Sequence, residues 1–144
     1  MPYWRLFYHC IWSTKERLPT IVPAIEKPLH KAILAKAKDP GAFPYAVGGT
    51  EDHVHLVVSV PPRLSLAHFV GQVKGASSHL ANHALHAIGA FSWQAEYGVV
   101  SFSGRQLDRI VRYVLNQRQH HAEGSTIAIF ERCSADAPQP QPPS

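Results

Sequence analysis

Along this chain the spacing of hydrophobic and polar positions changes period several times, and each change marks an element. Tyr3 to Thr14 is rich in aromatic and β-branched residues and too continuously apolar for a strand with one wet face, which predicts a central, largely covered strand. Pro19, Pro23 and Pro28 bracket the start of a helix in which Ile25, Leu29, Ile33 and Ala37 recur at helical spacing, ending before Asp39-Pro40-Gly41. Phe43 to Val47 and His53 to Val60 read as the strands of a hairpin around Gly48-Gly49-Thr50-Glu51-Asp52, whose glycines accept positive φ without steric cost. Pro61-Pro62 ends the second strand because proline cannot donate to the ladder. Ser65 then caps a helix with Leu66, Phe69, Val70, Val73 and Leu80 on one face, running to about Ala87. After Gly89 a short strand, Tyr97 to Ser101, leads to Ser103-Gly104-Arg105-Gln106 at capping-box spacing and to a last helix with Leu107, Ile110, Val111 and Val114 inward.

The order is β-α-β-β-α-β-α, an α+β chain. Its first six elements match the ferredoxin-like split βαβ arrangement, an antiparallel sheet with helices on one face, and the final helix is an addition. Residues 1–133 form one domain, and the proline- and glutamine-rich stretch 134–144 is expected to be disordered. With 45% hydrophobic and 17% charged residues the composition is globular, while a net charge of +4 makes a polyanionic partner plausible without establishing it. Lys27, Lys31, Lys36 and Lys38 share a helix face that is better read as solvated than as phosphate-binding. Cys10 and Cys133 are too far apart for a zinc pattern or a disulfide framework, which suits a reducing cytoplasm. No stretch of about 18 apolar residues and no signal peptide are visible, so a soluble protein with no membrane partner is expected.

Two pairs of residues carry candidate chemistry. In a strand, residues two apart point the same way, so His53, His55 and Val57 share one face while Val54, Leu56, Val58 and Val60 share the other. The apolar set packs under the helices and leaves two imidazoles side by side, a half-site for a divalent cation. With ten histidines one such pair is expected by chance, and taken alone it reads better as a surface or hydrogen-bonded pair than as a metal site. On the last helix Tyr113 and Gln117 stand four residues apart on one face, at the polar edge of the stripe beside Arg109 and Asn116. Taken alone, they read as an amphipathic boundary tyrosine and a solvated glutamine.

Together with their neighbours these residues form a pattern. The string Thr50-Glu51-Asp52-His53-Val54-His55-Leu56-Val57-Val58 is followed by Val73-Lys74-Gly75-Ala76-Ser77-Ser78, by Trp93-Gln94 with Tyr97-Gly98, and by Tyr113 to Gln117 closed by His120-His121. From Phe7 to about Glu123 the chain resembles the HUH single-tyrosine transposases, the small transposases of insertion sequences and the REP-associated tyrosine transposases. The resemblance implies a single-tyrosine DNA transposase or nickase, with His53, His55 and Gln117 as metal ligands and Tyr113 as the nucleophile. It implies weaker DNA contacts at Lys74, and Arg109 and Asn116 flank the tyrosine. It also implies magnesium or manganese as the metal, single-stranded or hairpin DNA as the partner, and a homodimer.

The chemistry is consistent with that set. Attack on a phosphodiester requires neutralisation of developing negative charge, and two imidazoles with one amide oxygen leave a divalent ion its full charge and open positions. The bond energy is kept in a 5′-phosphotyrosine beside a free 3′-hydroxyl, so no nucleotide cofactor is needed, and the chain has no phosphate-binding glycine loop before a lysine. A histidine-triad hydrolase would need a third histidine where Val57 stands, and a two-histidine phosphoesterase would need separate His-x-Ser/Thr elements. An RNA-recognition module would show aromatics on the sheet face that carries His53 and His55. A non-cleaving, domesticated protein that grips hairpin DNA or RNA is the remaining alternative.

Overall fold

A computed structural model of the chain describes residues 2–85 and 90–134. The expected helix end at Ala87 and all but Ser134 of the expected tail lie outside the described residues. The elements are β1 (Phe7–Ser13), α1 (Pro23–Lys38), β2 (Phe43–Gly49), β3 (His53–Ser59), α2 (Leu66–His83), β4 (Gly98–Phe102), α3 (Leu107–Leu115), α4 (Gln117–Glu123) and α5 (Ala128–Glu131). All strand pairs are antiparallel in the order β2-β3-β1-β4, which is the split βαβ sheet. β1 is shorter than expected because Tyr3 and Trp4 are exposed and only the part from Phe7 onward is covered. β4 starts one residue late, at Gly98.

One face of the sheet is closed by α1 and α2. Ile25, Leu29, Ile33 and Ala37 of α1 and Phe69, Val70, Val73 and Ala81 of α2 are buried against Cys10, Trp12, Val54, Leu56 and Val58. Pro23 opens α1 where its missing N–H costs nothing, and the Ser65 hydroxyl caps α2 by accepting from the His68 N–H at 3.3 Å.

Helices are not confined to that face. α3 packs on the opposite side, with Ile110, Tyr113 and Val114 buried against Ala46 and Val57. The reason is that β3 is buried on both faces, so Val57 needs an apolar cover as much as Leu56 does. Gly48 and Gly49 do not turn the chain: β2 runs through both with no positive φ, and the turn is Thr50 to Asp52. What Gly48 supplies is the absence of a Cβ, since one would overlap the Val114 carbonyl oxygen and lift α3 off the sheet. The capping box at Ser103 is not made: its side chain forms no cap bond, and its carbonyl oxygen instead accepts from Gln106 N in a short 3-10 turn. Among the described residues no helix is long and apolar enough to cross a membrane.

Candidate metal and nucleophile site

The site lies on the face that α3 covers. β1 and β3 pair so that Ser13 opposes His53, Ile11 opposes His55 and His9 opposes Val57, which puts His9 on the face of the two expected ligands. His53 and His55 are buried with ring centroids 5.0 Å apart. The Nδ1 of His53 lies 2.7 Å from Asp52 Oδ1 and 2.9 Å from Thr50 Oγ1, so its proton belongs on Nδ1 and its Nε2 lone pair faces the site. The Nδ1 of His55 lies 2.7 Å from His9 Nε2, with the two rings stacked at 4.9 Å. Burial, then the neighbouring His55, pushes the His9 imidazole down to about 3, so it is neutral at ordinary pH.

The single helix expected through Tyr113 and Gln117 is broken. Asn116, at φ −109° and ψ 30°, separates α3 from α4, and its side-chain amide donates to the Arg112 carbonyl at 2.8 Å. Neither residue is at a wet edge: Tyr113 is 4% and Gln117 is 1% exposed. The two still meet, because the Gln117 side-chain amide donates to the Tyr113 carbonyl at 3.3 Å and its Oε1 lies 3.3 Å from His53 Nε2. His53, His55 and Gln117 are thus brought together as the sequence pattern requires.

Glu131 and His121 complete the cluster, and sequence reasoning did not single out either as a site residue. Glu131 Oε1 lies 3.4 Å from His53 Nε2, 3.3 Å from His55 Nε2 and 3.1 Å from His121 Nε2. One nitrogen or oxygen from each of these four residues lies within 4.8 Å of all the others. Gln117 Oε1 is also 3.1 Å from His121 Nε2. The other Glu131 oxygen accepts from the Tyr113 hydroxyl, which in turn accepts from the Ile127 N–H at 2.9 Å. Burial alone would raise the Glu131 carboxyl, but the adjoining His55, Tyr113 and His53 together bring it down to about 2. Burial and then the Glu131 carboxylate push the Tyr113 phenol up to about 12. His55 is lowered, chiefly by burial, although Glu131 pulls the other way.

This donor set fits a divalent cation. His55 Nε2 is buried and has no hydrogen-bond partner of its own, although Glu131 is near, and a buried unpaired nitrogen costs free energy that coordination would relieve. Three imidazoles, an amide oxygen and a carboxylate converge there, a mixture that suits manganese or another transition ion better than an all-oxygen site would.

Two of the weaker expected contacts sit apart from the cluster. The Lys74 ammonium donates to the Gln94 and Glu96 carbonyls at 2.6 and 3.2 Å, tying α2 to the segment before β4. Arg109 is exposed and lines a cleft of about 150 Å3 with Gln106, Ile110, Tyr113, Ile127 and Phe130.

Comparison with known proteins places the chain among transposases. ISDra2 transposase TnpA of Deinococcus radiodurans is 27% identical over 125 residues, covering 83% of this chain and 88% of that protein. A crystal structure of a Deinococcus radiodurans R1 protein assigned as a transposase superposes with a TM-score of 0.62 at 27% identity, over 81% of this chain and 95% of that one. A REP-associated tyrosine transposase bound to a REP hairpin shares the fold at 13% identity, with a TM-score of 0.61 over 88% of this chain and 76% of that one. The model of the IS200-like transposase family matches residues 2–117, most of the described chain, and the protein belongs to that family.

Proposed function

We propose that this chain cleaves and rejoins single-stranded DNA in a metal-dependent reaction, through a covalent bond between Tyr113 and a 5′-phosphate. The observation that carries this reading is the Glu131 carboxylate. One of its oxygens accepts from the Tyr113 hydroxyl while the other lies within 3.4 Å of both His53 and His55 Nε2, so nucleophile and metal donors are a single carboxylate apart.

His53, His55 and Gln117 would hold the ion, with Glu131 and His121 in reach of it. A divalent cation there supplies neutralisation of the phosphate charge as the leaving oxygen becomes anionic. Tyr113 Oη attacks phosphorus, the bond to the 3′-oxygen breaks, the phenol loses its proton and the departing 3′-oxygen gains one. Burial and then the Glu131 carboxylate push the Tyr113 phenol up to about 12, so it is protonated at rest and must lose its proton as it attacks. Arg109, which lines a cleft with Tyr113, would meet the strand's phosphates, with weaker DNA contacts from Asn116 and Lys74. The active species is a homodimer that prefers hairpin or single-stranded DNA to duplex.

The test is a denaturing gel of labelled single-stranded oligonucleotide incubated with protein and manganese. Wild type yields a covalent adduct and Tyr113→Phe does not, while the variant still binds. An adduct with Tyr113→Phe removes Tyr113 as nucleophile. Binding without any adduct in the wild type favours a non-cleaving DNA-binding protein.

A further inference from the structure

The sheet face that carries His53 and His55 does bear aromatics, against the expectation from sequence: Phe43, Phe7 and Phe102 stand in one line across β2, β1 and β4, with Ser59 between them on β3. Phe43 on β2 opposes Ser59 on β3, Ser59 opposes Phe7 on β1, and Phe7 opposes Phe102 on β4. Directly opposed residues of antiparallel strands project to the same side, and Phe7 stands two residues before His9, so this is the face that carries His9 and His55. The rings touch: Phe7 and Phe102 stack at 5.9 Å, Phe7 and Tyr45 are 6.0 Å apart, and Phe43 and Tyr45 are 4.8 Å apart. Phe7 is the buried floor, whereas Phe43 is 61% and Tyr45 38% exposed. The row belongs neither to the metal cluster nor to the apolar core beneath α1 and α2.

We infer that this row is a stacking platform for the bases of single-stranded DNA next to the scissile phosphate, an inference that rests on the proposed single-stranded substrate. Base faces stack on exposed rings of a four-stranded sheet, and such contacts tolerate any sequence because every base has a π-face. Positive charge lies against the row. The exposed Arg5 guanidinium lies 5.1 Å over the Phe7 ring, and Gly104 gives it room because a side chain there would overlap it. Arg105, next in sequence, is also exposed. A cation against a row that exposes two rings matches a polyanion whose bases need a surface.

A second copy of the chain is the other candidate occupant. Phe43 and Tyr45 together present at most a few hundred Å2, short of the roughly 800 Å2 per partner that a stable interface buries.

The experiment measures binding of a fluorescent, unstructured deoxyoligonucleotide and of an abasic strand of equal length. The proteins are wild type and the Phe43→Ser, Tyr45→Ser double variant. Both positions are exposed, so the fold is expected to survive, which circular dichroism checks. Wild type should bind the normal strand about tenfold or more tightly than the abasic one, and the variant should lose that preference. Equal binding of both strands by wild type, or an unchanged preference in the variant, overturns the platform. So does sedimentation showing that the double substitution turns a dimer into a monomer, which assigns the row to a subunit contact. Adduct formation through Tyr113 is scored separately on the same strands, so a protein that binds through the row without cleaving defeats the nuclease reading and leaves the platform standing.

Discussion

Replacing His9 with glutamine isolates how much stability the protein loses when acid forces a proton into the site. His9 is buried beneath Phe130, stacked on His55, and its Nδ1 has no hydrogen-bond partner. A second proton there would sit next to another imidazole in a medium that cannot solvate it, and the pKa accordingly falls from 6.5 to about 3. Because the folded value is lowered, the unfolded chain binds the proton first. Stability is therefore full above pH 6.5 and declines as pH falls toward 3. Between pH 7.5 and 5.0 this one group removes about 2 kcal/mol, and that figure barely depends on the folded value as long as it lies well below 5. Urea unfolding of the metal-free protein at both pH values measures it. His9→Gln keeps an acceptor for His55 Nδ1 but cannot titrate, so its stability should fall by about 2 kcal/mol less than that of the wild type over the same interval. Histidines that do not touch His9 contribute equally to both proteins and cancel in the difference, and glutamine keeps the acceptor that His55 has in the wild type. Parallel losses in the two proteins would refute the reasoning.

Gln117→Ala should weaken manganese binding by several-fold up to about a hundredfold without unfolding the domain, read by calorimetry and by the metal dependence of adduct formation; an unchanged midpoint in both excludes Gln117 as a ligand. Asp52→Ala should lower metal affinity by about tenfold because Asp52 Oδ1 accepts from His53 Nδ1 at 2.7 Å and helps fix its tautomer; calorimetry with unchanged affinity counts against that role. Gly48→Ala should destabilise the fold by about 1–3 kcal/mol in chemical denaturation, since its methyl group would meet the Val114 carbonyl and displace the helix that carries Tyr113. A neutral result would mean that α3 adjusts without loss.

What the sequence disclosed follows from what is local. The alternation of His53, Val54, His55 and Leu56 fixes which side of β3 bears chemistry, and that face assignment survives intact because it needs only the strand period. The reading of Tyr113 as a boundary residue fails because it assumed one wall for the last helix. α5 folds back past Gly124, at φ 68°, and Ile127 and Phe130 cover the edge that would otherwise be wet. Glu131 was illegible for the same reason: it lies in a stretch without periodicity, beyond residue 117 where the family match ends, and only the reverse turn brings it to the histidines. His9 required the register of β1 on β3, which no single strand encodes.

Because β3 lies between β2 and β1, its pairing is checked on both edges, and this bears on how errors in folding are sorted. A slip of one residue would turn His53 and His55 into the layer beneath α1 and α2 and bring Val54 and Leu56 out under α3. Two imidazoles would then lie unpaired among Leu29, Ile33 and Phe69, at a cost of several kcal/mol. A misaligned chain thus cannot settle into a stable fold with half of the site in place. The strand that carries His53 and His55 also carries the core, so the register that packs the core is the register that brings the two imidazoles together.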